Sequence, residues 1–188
     1  MDFKMLSRRN FLKVSLTGAL TLMTVGPSFG SFEATPQEIL PPGQLSLFNT
    51  HTQERISLTF RDADGNYDLD SLNTLNWILR CHYTNEATEM DVNTLEFLNL
   101  VDKKLGGNNE IHIISAYRSP TYNNLLRESG HGVASKSLHL SGKAIDISIP
   151  GKSTALIREA AVDLHRGGVG FYPSSGFVHI DSGNFRTW

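Results

Sequence analysis

The chain of 188 residues holds one cysteine, Cys81, so no internal disulfide can brace the fold. It has no apolar run long enough to cross a bilayer. The stretch from Val14 to Val25 is about a dozen residues, where roughly 20 are needed. It also has no excess of positive charge: 17 Lys and Arg stand against 19 Asp and Glu, a net −2. That balance gives no electrostatic footprint for nucleic acid. No internal repeat is visible, which excludes solenoid and propeller architectures.

What is present begins with a leader. Ser7-Arg8-Arg9-Asn10-Phe11-Leu12-Lys13 precedes the short apolar run, the pattern of a twin-arginine signal read by the Tat machinery. Small residues Ser28 and Gly30 place cleavage near Gly30, with Ala34 as the alternative. No cysteine sits there to carry a lipid, so the expected location is the periplasm, without a stable membrane anchor after cleavage. Residues 1–30 carry Lys4, Arg8, Arg9 and Lys13 against Asp2, so the remaining 158 residues stand at −5 against −2 for the whole. That length suits one domain with one core. Residues 31–43 hold three prolines and no apolar period, and read as a linker; residues 44–188 form the domain.

Within it, Gln44 to Thr50 and Arg55 to Phe60 alternate as the strands of a hairpin. Asp62-Ala-Asp-Gly65 has its glycine too early for a calcium loop and reads as a turn. Asp70 to His82 has Leu72, Leu75, Ile78 and Leu79 at helical spacing, with Asp70 or Ser71 as N-cap. On that helix Cys81 and His82 would point about 100° apart, which argues against a nucleophile pair. Asp91 to Leu105 is a second helix, ended by Gly106-Gly107. Ile111 to Ala116 is a strand, and Ser119-Pro120 starts a short helix that stops before Gly130. Ser153 caps a helix to His165 whose predicted core face is Leu156, Ile157, Ala160 and Leu164. Val169–Tyr172 and Phe177–Asp181 make a hairpin. The fold class is α+β: a small, largely antiparallel sheet with helices packed on one side and its polar face open.

The chemistry gathers around Ser137-Leu-His-Leu-Ser-Gly-Lys-Ala-Ile-Asp-Ile147. By alternation Ile145, Ile147 and Ile149 face the core, which turns Asp146 to the opposite face. Phe177-Val-His-Ile-Asp181 repeats the pattern, with Val178 and Ile180 inward and His179 and Asp181 outward. If the two strands are neighbours, Asp146, His179 and Asp181 share one face, and His139 enters from the loop that Gly142 allows to bend. Two imidazoles and one carboxylate with an open fourth position suit a catalytic zinc ion. Arg118, on a tight loop after the Ile111 strand, either binds a substrate carboxylate with its planar fork or caps a surface carbonyl.

Three motifs in this order, Tyr117-Arg-Ser-Pro-x-x-Asn123, Ser137-Leu-His-x-x-Gly-x-Ala-x-Asp146 and Phe177-Val-His-Ile-Asp181, resemble the LAS-type zinc peptidases. This group includes the zinc D-Ala-D-Ala carboxypeptidases and the Hedgehog signalling domain. Within it, the resemblance is to the MepK-like (YcbK-like) periplasmic murein endopeptidases and runs over nearly the whole chain. It implies zinc ligands at His139, Asp146 and His179, with Arg118 and Ser137 on the substrate side. It implies a peptidoglycan stem peptide as substrate and hydrolysis of peptide crosslinks by metal-assisted amide cleavage. Many relatives carry an acidic general base three residues before the last histidine; here that position is Gly176, and Phe177 follows. Asp181 is then the nearest carboxylate on that face, as base or as an orienting group behind a ligand, with His131 the next candidate. The missing acid leaves two alternatives: a D,D-carboxypeptidase on uncrosslinked stems, or a zinc-containing binding module without hydrolysis.

Overall fold

The computed structural model describes residues 40–130 and 133–188. The leader, most of the linker and His131 therefore lie outside the described residues. Strands β1 (Gly43–Asn49) and β2 (Arg55–Arg61) form the expected hairpin. Helices α1 (Leu69–Ile78) and α2 (Val92–Lys104) follow, then β3 (Glu110–Ser115) and α3 (Pro120–Glu128). A 3₁₀ turn (Leu138–Ser141) leads into β4 (Ala144–Ser148) and α4 (Thr154–Leu164). Strands β5 (Gly168–Tyr172) and β6 (Phe177–Asp181) close the second hairpin, and a short β7 (Arg186–Thr187) ends the series.

The sheet order is β2-β1-β3-β4-β6-β5-β7. Four pairings are antiparallel, and two, β1 with β3 and β5 with β7, are parallel. The fold is α+β with a seven-stranded mixed sheet. Leu45, Leu47, Ile111, Ile113, Ile145, Ile147, Val178 and Ile180 meet Leu75, Ile78, Leu95, Leu98, Val101, Ile157 and Ala160 in one core. Each such aliphatic side chain contributes about 1.5–3 kcal/mol through burial. The even-numbered residues of β4 and the odd-numbered residues of β6 are left to the opposite face. Among the described residues no helix is long and apolar enough to cross a membrane.

Three local readings differ from expectation. Helix α1 is capped by Asp68, whose carboxylate accepts from Ser71 N at 3.0 Å, so the helix begins earlier than Asp70 or Ser71 would allow. Its first residue, Leu69, is 73 % exposed and leaves no mark on the apolar period. The same helix ends at Ile78 rather than His82. Asn49 Nδ2 donates to Ile78 O at 2.8 Å and Tyr117 N to Leu79 O at 3.0 Å, so neighbouring segments take the carbonyls that would have continued it. Cys81 and His82 thus lie past the helix, and the Cys81 thiol is buried 3.5 Å from Ser119 Oγ. On α4 the core stripe is Ile157, Ala160 and Ala161, and Leu156 faces out at 43 % exposure. Asp62 forms the expected turn, accepting from the amides of Asp64 and Asn66.

Candidate metal centre

The register of the sheet assembles the site. Asp146 on β4 is the direct partner of His179 on β6, and Ser115 on β3 is the partner of Asp146. The ladder between β3 and β4 slips between Ile113 and Ser115, and this irregularity is where the chain turns out of the sheet towards Arg118. His139 arrives on the 3₁₀ turn, whose first amides are capped by Ser137 Oγ, which accepts from His139 N at 3.4 Å. Gly142 closes that turn in the left-handed region, at φ 66°; a Cβ there would also meet Glu89 O at 2.6 Å. A side chain at 142 is therefore excluded twice, and the bend that delivers His139 depends on it.

His139, Asp146 and His179 are all buried. Their facing atoms form a small triangle. His139 Nε2 lies 3.2 Å from His179 Nδ1 and 3.3 Å from Asp146 Oδ1, and His179 Nδ1 lies 2.8 Å from Asp146 Oδ1. The outer ring nitrogens fix the tautomers. His139 Nδ1 is 2.6 Å from Ala116 O, a pure acceptor, so that nitrogen carries the proton. His179 Nε2 is 3.0 Å from Asp181 Oδ2 and donates to it. In the neutral rings both inner nitrogens are then acceptors, facing each other and an anionic oxygen with no hydrogen between them. Such a set needs a cation. Four-coordinate zinc, bound at about 2.0–2.1 Å, separates neighbouring ligand atoms by about 3.3 Å. The 3.2 and 3.3 Å edges match that spacing and the 2.8 Å edge is shorter; the donor set suits a metal ion.

Without an ion the three groups act on one another, and the protonated form of His179 is favoured. Burial alone would raise the Asp146 carboxyl, but the charge and hydrogen bonds of His139 and His179 hold it well below the usual carboxylate range. Burial lowers His139, with Asp146 opposing. Burial also acts to lower His179, but its hydrogen bonds to Asp146 and Asp181 outweigh this and raise it.

Arg118 Nη2 donates to Asp146 Oδ2 at 2.5 Å and Nε to Ser115 Oγ at 2.8 Å, so Asp146 has one oxygen held by the guanidinium and the other turned to the triangle. Arg118 N also donates to His139 O at 3.1 Å, tying the two loops together. Among the described residues Nη1 of Arg118 has no partner. Asp181 sits behind His179 and is fully buried. Its carboxyl is well below the ordinary range: burial would raise it, but His179, Arg186 and the Gly183 amide prevail.

A cavity of about 500 Å³ opens over the triangle, bordered by Arg118 and Ser137 on one side and by Tyr172, Phe177 and Trp188 on the other. Sequence reasoning missed the second wall. Trp188 Nε1 donates to Tyr172 Oη at 2.7 Å, and its ring lies 5.3 Å from that of His179. The available signal was Gly168-Val-Gly170 on β5, where alternate side chains are absent. A Cβ at Gly170 would lie 2.7 Å from the Trp188 ring.

A buried His-Asp-His set under a cleft, mounted on the polar face of a mixed sheet, defines a metallopeptidase centre. The family model described as Peptidoglycan L,D-endopeptidase MepK matches residues 38–188, and the chain belongs to this family. It is 40 % identical over 171 residues to the protein named Peptidoglycan L,D-endopeptidase MepK of Escherichia coli K12, covering 91 % of this chain and 90 % of that one. The Shigella flexneri protein of the same name gives the same figures. The Haemophilus influenzae protein named Probable peptidoglycan L,D-endopeptidase MepK is 36 % identical over 190 residues, covering 100 % of this chain and 98 % of its own.

Proposed function

We propose that this protein is a zinc-dependent peptidoglycan L,D-endopeptidase that cuts peptide crosslinks in the periplasm, reached through the Tat pathway by a leader over residues 1–30. The observation that carries the reading is the triangle of buried ligand-type atoms from His139, Asp146 and His179, 2.8–3.3 Å apart, at the floor of the cavity. The catalytic domain runs from residue 44 to 188 after a linker over residues 31–43.

His139, Asp146 and His179 would hold the metal. When bound, zinc supplies Lewis-acid polarisation and activation of water. The other roles belong to the chain itself. Arg118 keeps Asp146 to one inward oxygen and offers Nη1 to a carboxylate of the stem peptide. Ser137 holds the turn that presents His139 and borders the path of the substrate. Asp181 orients His179 and holds its proton on Nε2. Every lone-pair direction of its carboxylate is already used, so it does not also serve as the general base. At position 176, φ of 75° favours glycine, and among the described residues the carboxylates lining the cavity are Asp146 and Asp181.

Digestion of purified sacculi, with muropeptides separated by chromatography, tests the reading. Crosslinked dimers should disappear with the native protein and persist with His139→Ala or after chelation. Loss of terminal D-Ala alone would make the protein a carboxypeptidase. Unchanged muropeptides from zinc-loaded protein would make it a binding module.

A further inference from the structure

We propose that Arg186 is a positioning residue of the metal centre, acting through Asp181 to fix the ring and tautomer of His179. The inference rests on the metal-site reading above. Arg186 grips Asp181 with both ends of its fork: Nη1 donates to Oδ1 at 3.0 Å and Nη2 to Oδ2 at 2.7 Å. Oδ1 also accepts from Gly168 N at 3.1 Å and Gly183 N at 2.8 Å, and Oδ2 from His179 Nε2 at 3.0 Å. A carboxylate held only by one imidazole can rotate about its own axis. One held in plane by a guanidinium and two amides cannot, and the Nε2–H of His179 then has one direction to point.

The backbone is built around this contact. Strand β7 runs parallel to β5 with Arg186 opposite Gly168. A Cβ at Gly168 would lie 2.4 Å from Asp181 Oδ2 and 2.5 Å from Arg186 Nη1, so only glycine admits the pair. The guanidinium is steadied from above by the Trp188 ring, 4.9 Å from its carbon, and Nη1 donates to Asn184 O at 3.1 Å. The side chain is 45 % exposed and borders the catalytic cavity. A residue so placed has a rival use as a docking point for a substrate carboxylate, and the two uses separate experimentally.

Arg186→Met and Arg186→Gln should be compared with the native protein in three measurements. These are zinc affinity by competition with a chromophoric chelator, melting temperature without metal, and kcat and KM on a crosslinked muropeptide. Arg186→Met should weaken zinc binding by about 10- to 100-fold and lower kcat, with KM within twofold of native. Arg186→Gln, which keeps a donor without the fork or the charge, should fall between, and it decides the matter if the Met variant does not fold. Zinc affinity within twofold of native overturns the proposal. A raised KM beside it would assign Arg186 to substrate, and a lowered metal-free melting temperature beside it would assign it to structure. Failure of the underlying reading looks different: the native protein would bind zinc no better than His139→Ala.

Discussion

At the scale of single residues, His179 is the pivot, because both of its ring nitrogens meet carboxylates. Asp146 takes the inner side and Asp181 the outer, and the two should respond differently to loss of charge. Asp146→Asn is expected to lose zinc and activity together; it also strips Arg118 of its counter-charge, so folding must be confirmed by circular dichroism. Asp181→Asn should stay folded and bind zinc about 10- to 100-fold more weakly, as for other partners that orient a metal-bound imidazole. Native affinity in that variant, by competition titration, would remove Asp181 from the site. The alternation of β4 and β6 made the shared face of Asp146, His179 and Asp181 legible in the sequence, because a period of two leaves no freedom once the isoleucines choose the core. Which ring nitrogen of each histidine faces inward was not legible. That depends on Ala116 O and on Asp181 with its arginine, partners set by tertiary packing.

At the scale of elements, sequence signals marked what each segment is better than where it stops. Asp91, Ser119 and Ser153 announced their helices because each cap is a local side chain bonding an amide two or three residues on. The end of α1 was hidden because its terminator, Asn49, is 29 positions away. Asn49 is buried; besides donating to Ile78 O, its Oδ1 accepts from His51 N at 3.0 Å and Thr52 N at 3.2 Å. Asn49→Ala should therefore cost about 2–3 kcal/mol in urea unfolding of the metal-free protein, from contacts worth about 1 kcal/mol each plus an orphaned carbonyl. The same corner has a pH signature. Hydrogen bonds from Arg80 first, then Thr52, hold the Glu54 carboxyl below its ordinary value. A depressed carboxylate stabilises fully above the unfolded pKa of about 4.3 and loses that contribution as pH falls through its lower folded value. Glu54 is 39 % exposed, so solvent screens much of it. Glu54→Gln should show a shallower loss of stability than the native protein below about pH 4, read from melting curves in an acid series. Superimposable acid limbs would show that the pair contributes nothing.

At the scale of the whole molecule, the metal triangle joins segments distant in sequence: the turn after Ser137, β4 and β6. Arg118 ties in the loop after β3, and β7 supports the far side through Arg186 and Asp181. The ligand atoms exist as a set only when the central strands are paired in register, so the unfolded chain offers no comparable site. Binding free energy at such a site adds to folding free energy. With free zinc at about 100 times the dissociation constant, the native state gains about 2.7 kcal/mol. For a domain of this size each kcal/mol moves the midpoint by about 2–4 °C, so zinc should raise it by about 5–11 °C over the chelated protein. His139→Ala should show no such rise, because the remaining two ligands leave the set incomplete. Arg118→Ala should keep a rise, because Arg118 touches only the outer oxygen of Asp146, although its size should shrink as Asp146 gains freedom to turn. Differential scanning calorimetry at matched free zinc reads all three. A native protein whose midpoint is the same with zinc and with chelator would show that the triangle does not hold zinc, and the metal reading would fall with it.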